Sequence, residues 1–439
     1  MNLEHVATFH PVGQGLFYSA EVLLNSRRML RYVFDCGSES RRAHLDSALE
    51  EFFGTKTRAT FEAIEGDPRR MDLVVLSHLH RDHLNGLPRL LGGNRSPRFD
   101  VDLVVLPYLY PYERIVLAAE ESARRPLPRW YAEFLRDPVG YLRSRGAADV
   151  VLLRGGGGGD APDLNEPTAP PGDQPPDGHE SMDRVTHGLV KADARAQEEC
   201  ARQEAEMRGI PTPEVVCTTK GAIRRSSWVF EFFNKAWGLD RVADLHAALL
   251  PIIEDRPLAK VLADRGLLSK VQGAYRAAFG DHGMNATSVA MLSRPEACDP
   301  SGLTVELLSP IAARLSLVKE DAAFMLMGAP GFQAATLLTG DLPVPYLWPE
   351  VEGKFGLQLG PDGIQLATFQ VPHHGAPDGW NLKQVGPTTA VLAISAGLKN
   401  RHGHPNRAVL RDITSRGMPL LWSHERAGAS IRCSWTAGP

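Results

Sequence analysis

Four side chains able to bind a metal ion lie within six consecutive residues, where a buried strand is expected to end. The segment VVLSHLHRDHLNGL contains His78, His80, Asp82 and His83. Imidazole nitrogens and carboxylate oxygens are the usual ligands of zinc and similar divalent ions, and a hydrolytic site needs several of them with one coordination position open to water. The H-x-H-x-D-H pattern therefore predicts a metal-dependent hydrolytic site rather than a solvated, histidine-rich loop.

The spacing divides these four ligands between two ions. His78 and His80 are two residues apart on an extended backbone, so their side chains point the same way and can bind one ion. Asp82 and His83 follow where the chain turns toward a helix, and we expect them to face a second ion. The apolar run MDLVVL before them predicts a buried strand. In open α/β sheets, ligands bind at the carboxyl ends of such strands.

The pattern resembles the signature of the metallo-β-lactamase fold superfamily of metal-dependent hydrolases. Other segments fit the resemblance: Asp35 ends one predicted strand, Asp341 ends the apolar ATLLTGD, and two histidines end ATFQVPHHG. The resemblance implies an α/β fold, a four-layer αβ/βα sandwich with a largely helical insertion. It also implies that Asp35 supports the metal site and that Asp341 bridges two divalent ions, zinc or manganese.

The two histidines after the last of these strands are His373 and His374. Adjacent residues of an extended strand point to opposite sides, so one should reach the metals and the other should stabilise the loop. We predict that His373 is the ligand and keep His374 as the alternative.

Within the superfamily, the chain is most similar to the hydrolase domain of the ComEC-type DNA-uptake channel and its soluble relatives. The shared strings are VGQG, LLTGD, HHG and N..GHP, and they lie near both ends of the chain. The resemblance implies that Asn400 and His404 take part in catalysis together with Asp82. His404 is the residue expected to face the substrate and the leaving group, and His402 is the weaker candidate for that role.

The superfamily's middle metal-binding histidine has no obvious counterpart. The segment DHGMNATSVAML offers His282 and Asn285 ahead of a strand. The ComEC-like relatives tend to have an Asn-x-x-Ser pattern at this place, so Asn285 is the favoured match and His282 remains a candidate.

Composition describes an ordinary globular chain of 439 residues, with 43% hydrophobic and 23% charged residues. No apolar stretch approaches the roughly 20 residues that cross a bilayer, and no secretory signal is visible. The five cysteines are an odd number and form no C-x-x-C pair. We therefore expect a cytoplasmic protein with no membrane association.

The predicted domain organisation has a core interrupted by an insertion. Residues 1–156 form the first half of the core and residues 283–439 the second. The insertion, 157–282, begins with a Gly/Pro-rich linker that ends at about residue 183 and continues as mostly helical sequence. Within it, the segment SSWVFEFFN reads as a strand that either covers the active site or packs its aromatic side chains in the core. Arg224 and Arg225 before it either meet a phosphate or form a solvated turn.

These features predict a metal-dependent phosphodiesterase or nuclease that uses a hydroxide bridging two metal ions. The net charge of −4 argues against broad electrostatic attraction for nucleic acid. We therefore expect a phosphodiester substrate such as a single-stranded nucleic acid or a nucleotide. The alternatives are a small-molecule ester or lactone hydrolase of the same fold and a non-catalytic module that binds a protein partner through the insertion.

Overall fold

The computed structural model describes most of the chain as an α/β structure with two mixed sheets. The described residues are 2–58, 70–92, 99–155, 186–187, 198, 200–202, 204–205, 222–225, 227–235, 239–254, 256–279, 284–296, 303–307, 326–327, 332–357, 364–381 and 389–436. The α/β class that the sequence predicts is confirmed. The predicted linker, from residue 157 to about residue 183, lies outside the described residues.

The strands, in chain order, are β1 Asn2–Phe9, β2 Phe17–Leu24, β3 Arg27–Cys36, β4 Arg70–Val75, β5 Asp100–Pro107, β6 Ala147–Leu153, β7 Thr186–His187, β8 Ala222–Arg225, β9 Trp228–Asn234, β10 Val289–Pro295, β11 Thr304–Leu307, β12 Leu326–Met327, β13 Phe332–Leu338, β14 Gln365–Gln370, β15 Thr389–Ser395, β16 Leu420–Ser423 and β17 Ala429–Thr436. The first sheet has the order β12-β11-β17-β1-β2-β3-β4-β5-β6, and the second has the order β16-β15-β14-β13-β10-β9-β8-β7. In the first sheet β3 to β6 are parallel, and in the second β13 to β16 are parallel.

The helices are α1 Arg42–Arg58, α2 Arg81–Leu84, α3 Leu87–Leu90, α4 Pro111–Arg124, α5 Arg129–Arg136, α6 Pro138–Ser144, α7 Leu239–Ile253, α8 Leu258–Ala263, α9 Arg265–Phe279, α10 Val344–Phe355 and α11 Arg407–Ser415. Side chains of α1 and of α4 to α9 share one hydrophobic cluster with the first sheet. Side chains of α10 and α11 share another with the second sheet. No helix within the described ranges is both long enough and apolar enough to span a bilayer.

A third hydrophobic cluster contains residues of both sheets. The Tyr32 ring on β3 meets the Phe230 ring on β9 edge-on at 4.9 Å between centroids, and the Tyr32 hydroxyl lies 2.8 Å from Ser293 Oγ on β10. On the same face, the His5 ring stacks on Trp228 at 5.2 Å. The aromatic side chains of the SSWVFEFFN segment therefore pack in the core, which is one of the two arrangements that the sequence predicted.

Strands β8 and β9 lie in the predicted insertion, yet both extend the second sheet. Arg225 on β8 is buried and forms ion pairs with Asp72 and Asp102 of the first sheet, while Arg224 pairs with Glu296 at 3.0 Å. The prediction of a solvated turn is therefore wrong, because both arginines lie on β8. A phosphate contact is contradicted for the buried Arg225 and stays a prediction for Arg224, whose side chain is about half exposed. Cross-strand pairing placed them on a strand, where their charges are neutralised by carboxylates.

The parallel strands of both sheets end in polar segments that converge. Asp35 is near the end of β3, and the segment from Ser77 to His83 follows β4. On the second sheet, Asp341 follows β13 and two histidines follow β14. Buried parallel strands are nearly continuous apolar runs, which is why polar side chains begin only where these strands stop.

Candidate metal centre

Asp35 organises the loop that carries the first group of predicted ligands. Its buried carboxylate accepts hydrogen bonds from the Ser77 backbone N–H at 2.6 Å, from the Ser77 hydroxyl at 2.5 Å and from His83 Nδ1 at 2.7 Å. The backbone of Asp35 has a φ of 56°, a left-handed conformation that Asp tolerates better than most residues. The predicted supporting role of Asp35 agrees with these contacts.

Asp341 approaches the same place from the second sheet. The Gln370 side-chain oxygen accepts the backbone N–H groups of Thr339 at 2.8 Å and Gly340 at 2.9 Å, which fixes the turn before Asp341. Gly340 has a φ of 55°, and a Cβ atom on it would lie 2.5 Å from Ser77 Cβ. Only glycine therefore allows the two loops to approach this closely.

Four ligand atoms from both sheets lie within 4.8 Å of one another, and they belong to Asp82, His83, Asp341 and His374. His83 Nε2 is 3.3 Å from Asp341 Oδ1, and His374 Nε2 is 3.5 Å from Asp82 Oδ2. Ligands of one tetrahedral zinc ion, each about 2.1 Å from it, lie about 3.4 Å apart. The spacing of these atoms therefore matches that of ligands around one ion.

His78 approaches the opposite carboxylate oxygen of Asp341. Its Nε2 lies 3.6 Å from Asp341 Oδ2, and it also forms a group of potential ligands with Asp35 and His83. His80 belongs to neither of these two groups in the described part of the chain. Its Nε2 instead lies 3.5 Å from Glu120 Oε2 on α4.

Four buried atoms of this site have no hydrogen-bond partner among the described residues: His78 Nε2, His83 Nε2, His374 Nε2 and Asp341 Oδ1. Burying a polar atom without a partner is costly, so such a cluster needs a ligand that all of its atoms share. Imidazole and carboxylate donors at these spacings fit a divalent transition-metal ion.

The two histidines after β14 do not point to opposite sides. His373 and His374 both have positive φ, 48° and 56°, so they lie in a tight turn rather than on an extended strand. The Nε2 atoms of both lie near Asp341, at 3.8 Å and 3.7 Å. His374 is buried, donates from Nδ1 to the Ser395 carbonyl at 2.8 Å, and is the member of the four-ligand group. The structure thus favours His374 over His373, whose Nδ1 faces the Asp378 carboxylate at 3.7 Å.

Electrostatics in the site follow from the number of carboxylates that surround His83. Burial lowers the pKa of His83, but Asp341, Asp35 and Asp82 outweigh burial and raise it well above its usual value. Burial raises the pKa of Asp341, but His83 and the other neighbouring histidines outweigh it, so the pKa falls well below its usual range. The neighbouring histidines thus hold Asp341 and Asp82 ionised, which is the form that binds a metal ion, whereas at Asp35 burial outweighs His83 and raises the pKa.

The loop that carries Asn400, His402 and His404 borders the site. Asn400 donates to the carbonyls of Gly397, at 2.6 Å, and His404, and its own side-chain oxygen accepts the backbone N–H groups of His402 and His404. These contacts make Asn400 a residue that shapes its own loop. The His404 ring lies 5.5 Å from the His373 ring, whereas His402 Nε2 lies 2.9 Å from Glu39 Oε2. His404 is thus the one of the two histidines that faces the site.

The middle position of the ligand set stays a prediction. His282 lies outside the described residues. Asn285 belongs to a 3-10 turn at 284–287, where its carbonyl accepts the Ser288 backbone N–H at 3.0 Å. The next residue, Val289, donates to the Ser77 carbonyl at 2.6 Å, so this segment lies beside the metal-site loop.

Three residues that contact the predicted ligands or their loops were not predicted: Ser77, Gln370 and Glu120. Ser77 directly precedes the first histidine, so its position in the sequence was a usable signal. Gln370 ends an apolar strand and Glu120 lies within a helix of ordinary composition, and neither has a local pattern that marks it.

A scan of the chain against protein-family models found no match, and a search of curated proteins found none either. The assignment of a function therefore rests on the residues of the site.

Proposed function

We propose that this chain is a dinuclear metal-dependent hydrolase of the metallo-β-lactamase fold that cleaves a phosphodiester. The observation that carries the proposal is the set of four buried ligand atoms that have no hydrogen-bond partner among the described residues. They are three imidazole nitrogens and one carboxylate oxygen, contributed by loops of both sheets. The finer fold assignment, an αβ/βα sandwich, is supported by the helices that share hydrophobic clusters with each sheet and by the cluster between the sheets.

One ion would be held by Asp82, His83 and His374, the other by His78 and His80, with Asp341 shared between them. Such ions, when bound, lower the pKa of water toward neutrality and stabilise negative charge on phosphoryl oxygens. The protein contributes the fixed orientation of its ligands.

His404 is the side chain proposed to contact the leaving group. Its Nδ1 is buried and has no hydrogen-bond partner in the described ranges. Burial, followed by the charges of His373, His374 and His402, lowers the pKa of His404 to about 4. The imidazole is therefore neutral at pH 7 and can donate one hydrogen bond to a substrate oxygen while its other nitrogen accepts one.

A phosphodiester is the preferred substrate because two adjacent cations form a site for an anion. The net charge of −4 makes tight binding of long duplex DNA less favourable than entry of single strands, ends or nucleotides.

The test compares protein loaded with manganese or zinc on single-stranded DNA, duplex DNA, RNA and bis(p-nitrophenyl) phosphate, with Asp82→Asn as the inactive reference. We expect cleavage of single-stranded nucleic acid and of the small diester. Cleavage of the small diester alone would indicate a small-molecule phosphodiesterase. No cleavage by fully metal-loaded protein would contradict the proposal and favour a binding module.

A further inference from the structure

Three of the ligand histidines share one orientation. In each, Nε2 faces the site and has no hydrogen-bond partner in the part of the chain that the structure describes. In each, Nδ1 is occupied by a neighbour, and the pairs are His83 with Asp35 at 2.7 Å, His374 with the Ser395 carbonyl at 2.8 Å, and His78 with Ser77 Oγ at 3.0 Å. Such outer contacts fix the tautomer and the ring orientation of a metal ligand.

His80 has the opposite arrangement. Its Nε2 is the nitrogen that meets an outer partner, since it lies 3.5 Å from Glu120 Oε2. Its ring lies 5.0 Å from the His78 ring, close to the proposed site of the first ion. A neutral imidazole carries its proton on one nitrogen only, so a proton held between Nε2 and a carboxylate leaves the Nδ1 lone pair available.

The part of α4 that carries Glu120 is held against the ligand loop by contacts that do not involve His80. The adjacent residue, Glu121, is buried and accepts the Arg81 backbone N–H at 3.3 Å. On the other side of His80, the Tyr131 hydroxyl donates to the Leu79 carbonyl at 2.7 Å. Helices α4 and α5 therefore hold the loop both before and after His80, which places Glu120 beside the imidazole.

We propose that Glu120 is a positioning residue of the metal centre, which accepts the Nε2–H of His80 and thereby turns Nδ1 toward the ion shared with His78 and Asp341. This inference rests on the proposed metal centre. It gives helix α4 a role in metal binding, although α4 lies outside the H-x-H-x-D-H segment. The positioning of His80 matters most for the ion that His78 and His80 would hold. The superfamily's middle metal-binding histidine has no established counterpart in this chain, so His80 is all the more important as a ligand of that ion.

The experiment measures the zinc affinity of metal-free protein by competition with a chelator. Glu120→Ala is expected to weaken one of the two zinc sites by about 10- to 100-fold, the usual effect of losing an outer-shell partner. Glu120→Gln is expected to stay within a few-fold of wild type, because its amide oxygen still accepts the His80 Nε2–H. Glu133→Gln on α5 is the control, since this carboxylate is exposed and pairs with Arg129 at 2.8 Å.

Equal zinc affinity in wild type and Glu120→Ala would overturn the inference while leaving the proposed function intact. A loss in Glu120→Gln as large as in Glu120→Ala would overturn it too, because the charge rather than the acceptor would then be required. Wild-type protein that binds no zinc would overturn both proposals. If Glu120→Ala does not fold, histidine ¹⁵N spectra of zinc-loaded wild type decide: coordination of His80 through Nδ1 supports the inference, and coordination through Nε2 overturns it.

Discussion

His83 Nδ1 donates to Asp35 Oδ2 at 2.7 Å, and both side chains are completely buried. The contact joins the end of β3 to the short helix α2 and leaves His83 Nε2 facing Asp341. Asp35 also accepts two hydrogen bonds from Ser77, the residue before the first ligand. One carboxylate thus sets the orientation of the loop from residue 77 to residue 83.

We expect Asp35→Asn to weaken metal binding without removing a ligand. The amide accepts a hydrogen bond but carries no charge, so it supports His83 less well, and the loss should be about 10- to 100-fold in the affinity of one site. Asn tolerates the left-handed backbone at this position, so the fold should be retained. Metal titration followed by elemental analysis measures the effect. Asp149→Asn is the control and should match wild type, because this side chain on β6 is half exposed and pairs with Arg143 at 3.7 Å.

Purified and reconstituted protein should contain close to two transition-metal ions per chain. Asp341→Asn should reduce the content of both ions, because Oδ1 of Asp341 faces His83 and His374 while Oδ2 faces His78 and His373. Elemental analysis of wild type and variant measures this directly. One ion or none in fully reconstituted wild type would rule out the dinuclear arrangement.

His404→Ala should slow turnover by about 10- to 1,000-fold while the metal content stays near that of wild type, because the proposed role of His404 is toward the substrate rather than the ions. His402→Ala is the matched comparison, since His402 is exposed and contacts Glu39. Its effect on turnover should be much smaller. Parallel loss of metal and of activity in His404→Ala would identify His404 as a ligand instead.

Acid should destabilise the fold through His5, which is buried between the sheets. Burial lowers the pKa of His5 to about 3 from 6.5. Below pH 6.5 the unfolded chain binds a proton that the folded chain does not, so stability falls as the pH drops from 6.5 toward 3, by about 1.4 kcal/mol per unit.

His5→Phe removes this titration and keeps an aromatic ring against Trp228, while the Tyr32 hydroxyl retains Ser293 as a partner. Between pH 7 and pH 5, the free energy of unfolding should fall by about 2 kcal/mol more in wild type than in His5→Phe. Urea unfolding at the two pH values measures the difference. Equal losses in the two proteins would mean that His5 is protonated in the folded state.

Local sequence patterns predicted the α/β class and the strand ends that carry polar side chains. The string containing His78 and His83 was informative because ligand types and spacing are local properties. Which of His373 and His374 joins the group of potential ligands was not predictable. It depends on the left-handed backbone of both histidines, which the residue types in HHG do not indicate. Arg225 was misjudged for the same kind of reason, because its partner Asp72 lies on the other sheet. Glu120 reaches His80 only through the packing of a helix, which spacing does not encode.

The two halves of the metal centre are made at different times during protein synthesis. Asp35 and the loop from residue 77 to residue 83 leave the ribosome early, whereas Asp341 and His374 are translated after most of the chain. A nascent chain that ends before residue 341 lacks the carboxylate proposed to be shared by two ions and strands β14 to β16 of the second sheet. The metal centre therefore cannot assemble co-translationally from its first ligands alone, and metal uptake should follow the docking of the second sheet.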